Sequence, residues 1–252
     1  MEFFAYFSAL HIMIMMLTIV VSYIIFGMVG FGTALIASPI LLNFLPLSSI
    51  IPLLALLDMF AALSNVIKDG KKADFSELKV LIPLMFIGSL IGFVLLMKVN
   101  PSHALLAFGL FTLFYAIYSL SGFKPHKHIK KKYVIPFGLG GGFFGAMFGS
   151  GGFLYAIYLN GRIETPEKIR VTQTTLIGCS TLFRVVLFAI AGVYFSEKLL
   201  ALALIFLPSM FLGAFIGKHI TLKLSKQQFM KVINIVVLLS GLSIIAKYML
   251  TN

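Results

Sequence analysis

The sequence predicts an all-α polytopic membrane protein made of two inverted-topology repeats, each a broken re-entrant helical V followed by three transmembrane helices. Three observations carry that prediction. Of the 252 residues, 60% are hydrophobic and only 11% are charged, too little charge to cover a water-soluble domain of this length. Apolar runs of about 18 residues or more, the length that crosses a bilayer, recur from end to end. Glycine breaks at Gly30-Phe31-Gly32 and Gly149-Ser150-Gly151-Gly152 stand 119 positions apart, at corresponding places in two halves.

The elements follow in order. Residues 3–45 are apolar but interrupted at Gly27, Gly30, Gly32 and Pro39. The start Met1-Glu2-Phe3-Phe4 has no positive n-region and no small-residue cleavage site, so the first run is expected to be retained. A run from Ile50 to Ile67, the charged loop 68–79, and the runs Val80–Met97 and Ala104–Leu120 complete the first half. Loop 123–132 carries five lysines with His126 and His128. The second half repeats the order: Val134–Leu159, the charged loop 161–170, then Val171–Ala191, Leu199–Gly217 and Val232–Leu250.

Residue-level likeness between the halves supports a distant duplication. Gly30 and Gly32 align with Gly149 and Gly151, and Ala37 with Ala156. Pro83, Gly88 and Gly92 match Pro208, Gly213 and Gly217 at a separation of 125, so the second half carries six extra residues between these landmarks. The chain divides into a first membrane repeat at 1–122, a basic linker at 123–133 and a second repeat at 134–252. The small-xxx-small patterns at Gly88/Gly92 and Gly213/Gly217 read as helix-packing faces.

Charge orients the halves. Sixteen of the twenty basic residues lie in loops 68–79, 123–132, 161–170 and 218–231, which places all four in the cytoplasm by the positive-inside rule. The net charge of +12 thereby finds its explanation in membrane orientation rather than nucleic acid. Only Val134–Leu159 separates loop 123–132 from loop 161–170, so that run must return to the side it left. Two arms of about 13 helical residues reach about 20 Å, short of a hydrocarbon core about 30 Å thick. It therefore reads as a re-entrant V with its tip at Gly149–Gly152. By the repeat, residues 3–45 form the opposite V, broken at Gly30–Gly32, with a leading arm long enough to cross. Three spans per repeat is an odd number, which inverts the second half and puts both termini outside the cytoplasm.

Two charges lie inside apolar runs, Asp58 and Arg184, on corresponding helices of the two repeats. A charge at bilayer depth costs about 2.5–3.5 kcal/mol on insertion scales and so faces protein or a polar cavity. Two roles stand open: an ion pair that locks the halves, or Arg184 attracting an anion while Asp58 takes up a proton. Gln173, Ile177, Ser180 and Arg184 share one helix face, with Thr174 and Thr175 on adjoining faces. Arginine stays charged and offers a planar fork of donors suited to an oxyanion. Asn65 stands where Arg184 stands in the second half. A helix restarting after Gly32 or after Ser150-Gly151-Gly152 would add backbone N–H groups and a positive dipole end. Phe31 and Phe153 at these breaks read more readily as packing groups. No nucleophile–base pair, paired carboxylates, phosphate loop or metal-ligand spacing is present, and Cys179 is the only cysteine, so the sequence makes no case for an enzyme or a cofactor.

The run Gly145-Ala-Met-Phe-Gly149-Ser-Gly151-Gly152-Phe-Leu-Tyr-Ala-Ile-Tyr-Leu159 resembles the signature of the sulfite exporter TauE/SafE family. Gly27-Met-Val-Gly30-Phe-Gly32, the twin stretches from Pro83 and Pro208, and the polar run Arg170 to Arg184 are similar to that family too. The resemblance implies a bacterial or archaeal inner-membrane transporter that exports sulfite or a small organosulfonate. The first repeat departs from the pattern in having fewer glycines at Gly30–Thr33 and Leu56-Leu57-Asp58 where small polar residues are usual. The expected function is a secondary transporter that exports a small anion by alternating access. Gly30, Phe31, Gly32, Asp58, Asn65, Ser150, Gly151, Gly152, Gln173, Thr174, Ser180 and Arg184 would surround the anion, with a proton taken up at Asp58. The alternatives are a passive anion channel and a membrane scaffold or assembly protein.

Overall fold

The computed structural model describes residues 7–30, 32–69, 73–122, 129–219 and 226–251. Among them, all regular structure is helical. Helix α1 (Ala9–Val29) leads through the first break into α2 (Thr33–Leu41), followed by α3 (Leu47–Asp69), α4 (Phe75–Lys98) and α5 (Pro101–Leu120). After a single 3-10 turn the order recurs: α6 (Val134–Phe148), α7 (Gly152–Asn160), α8 (Pro166–Ile190), α9 (Glu197–His219) and α10 (Lys226–Thr251). Helices α1, α4, α5, α8, α9 and α10 are each long and apolar enough to cross a membrane. Helix α3 runs 23 residues, with an apolar stretch at Leu47–Ala61. The outer surface is apolar, with Ile91, Phe114, Leu204, Phe215 and Leu239 more than half exposed, as a lipid solvent allows.

Local chemistry sets the ends. Ser8 caps α1 by accepting from the His11 N–H, Asp74 caps α4 from Ser76 and Glu77, and Asn100 caps α5 ahead of Pro101. Helix α6 stops at Gly149, whose φ of 69° is left-handed, and its N–H returns to the Gly145 carbonyl at 3.0 Å. Helix α1 stops in the same way at Gly30.

The run Val134–Leu159 doubles back on itself. Tyr158 lies across from Phe137, with rings 5.8 Å apart, while Tyr155 abuts Gly141 and Gly151 abuts Gly145. Its two ends meet where the Ile129 N–H donates to the Gly161 carbonyl at 2.9 Å. Helices α6 and α7 are thus the two arms of a hairpin with its tip at the glycines. In the first half, the Phe44 ring lies 5.2 Å from that of His11, so α2 also returns toward the start of α1. This hairpin is lopsided, because α1 is 21 residues long and α6 only 15. Both helices end at a left-handed glycine, so the difference lies at their starts, where Lys130-Lys131-Lys132 stand just ahead of α6.

Each hairpin packs on the other half. Helix α1 lies along α9, α6 along α4, α3 against α8, and α5 against α10. The small-residue faces explain the two hairpin contacts. A methyl added at Gly88 or Gly92 would strike the Leu139 or Phe143 carbonyl of α6, and one at Gly213 or Gly217 would strike that of Val20 or Ile24 in α1. Loops 73–77, 129–133 and 161–168 gather at one end of the bundle. At the other end, Tyr194 donates to the Pro52 carbonyl and Lys247 to that of Leu42.

Candidate functional site

The two breaks meet. A Cβ on Gly149 would stand 2.7 Å from the Ala34 Cβ and 3.7 Å from Arg184 Nη1. Between them lies a cavity of about 30 Å³. From the first half it is lined by Phe26, Gly32, Thr33 and Asp58; from the second, by Gly151, Gly152, Tyr155, Ile177, Ser180 and Arg184 among others. That volume holds about two waters at most, so a four-atom oxyanion requires the tips to part.

Helices α2 and α7 both start at this cavity, and neither has a side-chain cap. Gly32 precedes α2 with a φ of 95°, a conformation that costs glycine nothing and other residues a good deal. The positive ends of two helix dipoles therefore face the same small space.

Asp58 and Arg184 are 6% and 4% exposed, so each must be neutralised from within the protein. Each is held mainly by its own neighbours. The Tyr23 hydroxyl donates to Asp58 Oδ1 at 2.7 Å, and the Thr33 hydroxyl donates to both carboxylate oxygens at 3.1 and 3.2 Å. Arg184 Nη1 donates to the Gly145 carbonyl at 2.9 Å, and Nη2 to the Thr181 hydroxyl at 3.1 Å. The charged groups themselves are 4.0 Å apart, Nη2 to Oδ2. Arg184 Nε is buried without a hydrogen-bond partner.

The sequence-predicted residues separate into groups. Gly32, Asp58, Gly151, Gly152, Ser180 and Arg184 line the cavity together. Gln173 stands beside it and donates to the Gly152 carbonyl at 3.4 Å. Ser150 is buried in the break with its hydroxyl unpartnered, and is not part of the lining. Gly30 forms the turn without lining the cavity, and the Thr174 hydroxyl donates to the Arg170 carbonyl in its own helix. Phe31 and the Asn65 side chain lie outside the described residues. Phe153 packs on Tyr115 and Phe111 at 5.1 and 5.8 Å. Tyr23, Thr33, Tyr155 and Thr181 complete the site and were not singled out from the sequence. No cluster of three His, Cys, Asp or Glu suited to a metal occurs among the described residues.

Six membrane-length helices make this a multi-pass membrane protein, and a buried, charged cavity between paired glycine breaks fits transport. The family model described as sulfite exporter TauE/SafE matches residues 14–244, and the chain belongs to that family. Comparison with curated proteins and with solved structures gives no match.

Proposed function

We propose that the protein is a secondary transporter that exports a small sulfur oxyanion, sulfite or a compact sulfonate, across the inner membrane by alternating access. One observation carries the reading: a buried arginine with an unused donor faces a cavity onto which two uncapped helix N-termini open. The anion sits between the two tips, against Arg184, with Ser180 and Gln173 nearby.

Asp58 gives the site its coupling. An anion beside an ionised Asp58 in a water-poor cavity is repelled, and a protonated Asp58 removes that repulsion while releasing Arg184 from its counter-charge. Proton and anion therefore bind together. The two halves are inverted repeats, 1–122 and 134–252, joined by the linker 123–133, with the basic loops in the cytoplasm. The exchange of partners supports this reading, since α1 on α9 and α6 on α4 swap when the halves swap, while α3–α8 and α5–α10 map onto themselves. Rocking of one hairpin against the other then opens the cavity to each side in turn.

The test is sulfite flux from proteoliposomes. The parent should sustain counterflow of labelled sulfite, which a passive channel does not, and Arg184→Gln should abolish it. A folded, inserted Arg184→Gln protein with undiminished flux would refute the site and leave the Asp58–Arg184 pair as the lock of a scaffold.

A further inference from the structure

The polar groups of the cavity differ by wall. Among the described residues of the first-half wall the side-chain donor, Thr33, is spent on Asp58, which also accepts from Tyr23 behind it. On the second-half wall Arg184 spends its Nη1 and Nη2 on Gly145 and Thr181, but two side-chain donors have no partner. Arg184 Nε and the Tyr155 hydroxyl are buried with no hydrogen-bond partner, and both residues line the cavity. The Tyr155 hydroxyl lies toward Ser180 without completing a bond to it. A buried donor with no protein partner that lines a cavity is free to bind what enters the cavity, whether water or ligand.

The hairpin is built to seat that tyrosine. Tyr155 is 1% exposed, and its ring lies flat against Gly141 in the opposite arm. A methyl at Gly141 would collide with the ring, standing 2.6 Å from Cζ and 2.7 Å from Cδ1. Gly151 in turn nests against the Gly141 carbonyl, drawing the arms together. Packing alone would be served by phenylalanine in this seat.

We propose that Tyr155 is a substrate-recognising residue: its hydroxyl donates to one oxygen of the anion while Arg184 Nε–H binds another. This inference rests on the anion-transport reading and adds selectivity to it. Two separate donor groups on one wall match a ligand with more than one acceptor oxygen, so oxyanions should bind in preference to halides, which are the weaker hydrogen-bond acceptors. A site built to hydrogen-bond one ligand discriminates strongly against a ligand lacking the matching group.

The experiment titrates sulfite, with chloride as competitor, into nanodisc-held parent, Tyr155→Phe and Arg184→Gln proteins. A hydrogen bond to a charged group predicts that Tyr155→Phe weakens sulfite binding about ten- to a hundredfold and narrows the sulfite-over-chloride preference by the same factor. Gly141→Ala, which displaces the ring but keeps the hydroxyl, supplies a second arm and should weaken sulfite in the same direction. If Tyr155→Phe and Gly141→Ala bind sulfite like the parent while Arg184→Gln does not, the role of Tyr155 is overturned and the transport reading survives. If the parent does not bind sulfite, or Arg184→Gln binds it equally well, both fall.

Discussion

Arg184 and Asp58 face each other at 4.0 Å across the junction of the two halves, close enough to pair electrostatically and too far apart to hydrogen-bond. A carboxylate fixed by Tyr23 and Thr33, and a guanidinium fixed by Gly145 and Thr181, leave a gap rather than a closed bridge. The gap leaves the arginine available.

Removing one partner strands the other as a buried charge, at a cost of about 3–5 kcal/mol. Asp58→Asn and Arg184→Gln alone should each lower the melting temperature in detergent. The double variant should recover most of the loss, since no uncompensated charge remains, yet stay inactive in sulfite efflux. A double variant no more stable than the singles would show that the two charges are not coupled.

The close helix contacts predict a second set of outcomes. Gly88→Ala and Gly92→Ala drive a methyl into backbone carbonyls of α6, and Gly213→Ala and Gly217→Ala into those of α1. Backbone cannot rotate aside, so each change should cost about 1–3 kcal/mol in a thermal or denaturant melt. At Gly109 the obstacles are side-chain atoms of Ile244 and Ile245, so Gly109→Ala should cost less.

The same contacts show what the sequence could disclose. Glycine breaks, small-xxx-small faces and charges inside apolar runs are local signals, and they revealed the hairpin tips, the packing faces and the Asp58–Arg184 pair. Tyr23 and Thr33 gave no such signal. Their role exists only because the fold brings them to Asp58 from 35 and 25 positions away. Tyr155 is one of several tyrosines in apolar surroundings, and only the opposing Gly141 distinguishes it. Thr174 misleads for the opposite reason: a threonine on a polar helix face can satisfy itself on the carbonyl four residues back. Counting lysines and arginines passed over Glu77, whose carboxylate accepts from Tyr158 and Arg162 and ties α4 to the second hairpin.

That tie has a measurable pH signature at its edge. Asp74 is held down to about 2 by the Ser76 hydroxyl and then by Lys168, whose Nζ is 3.0 Å away. An unfolded aspartate titrates near about 4, so the contribution is complete above that pH and is lost as pH falls toward about 2. Lys168→Met should therefore melt below the parent at pH 7, and the difference should shrink as both are acidified. A difference independent of pH would assign the effect to something other than this carboxylate.

Coupling at Asp58 predicts that anion affinity rises as pH falls in the parent but not in Asp58→Asn, where the proton has no site. Comparing the two proteins at each pH cancels the titration of sulfite itself. Arg184→Gln/Asp58→Asn serves as the non-binding control. Parallel pH profiles in parent and Asp58→Asn would place the coupling elsewhere or remove it.

The hairpin reading of Val134–Leu159 can be tested without any substrate. Ile129 and Gly161 are joined by a backbone hydrogen bond, so exposed positions flanking them, Lys130 and Glu164, must lie on one side of the membrane. His103, near the start of α5, is exposed at the opposite end of the bundle. With Cys179 replaced by serine, Lys130→Cys and Glu164→Cys should both label with a membrane-impermeant maleimide only in inverted vesicles, and His103→Cys only in intact spheroplasts. Labelling of Lys130→Cys and Glu164→Cys from opposite sides would mean that α6 and α7 together traverse the bilayer, and the inversion of the two halves, which depends on an odd number of spans in each, would fail with it.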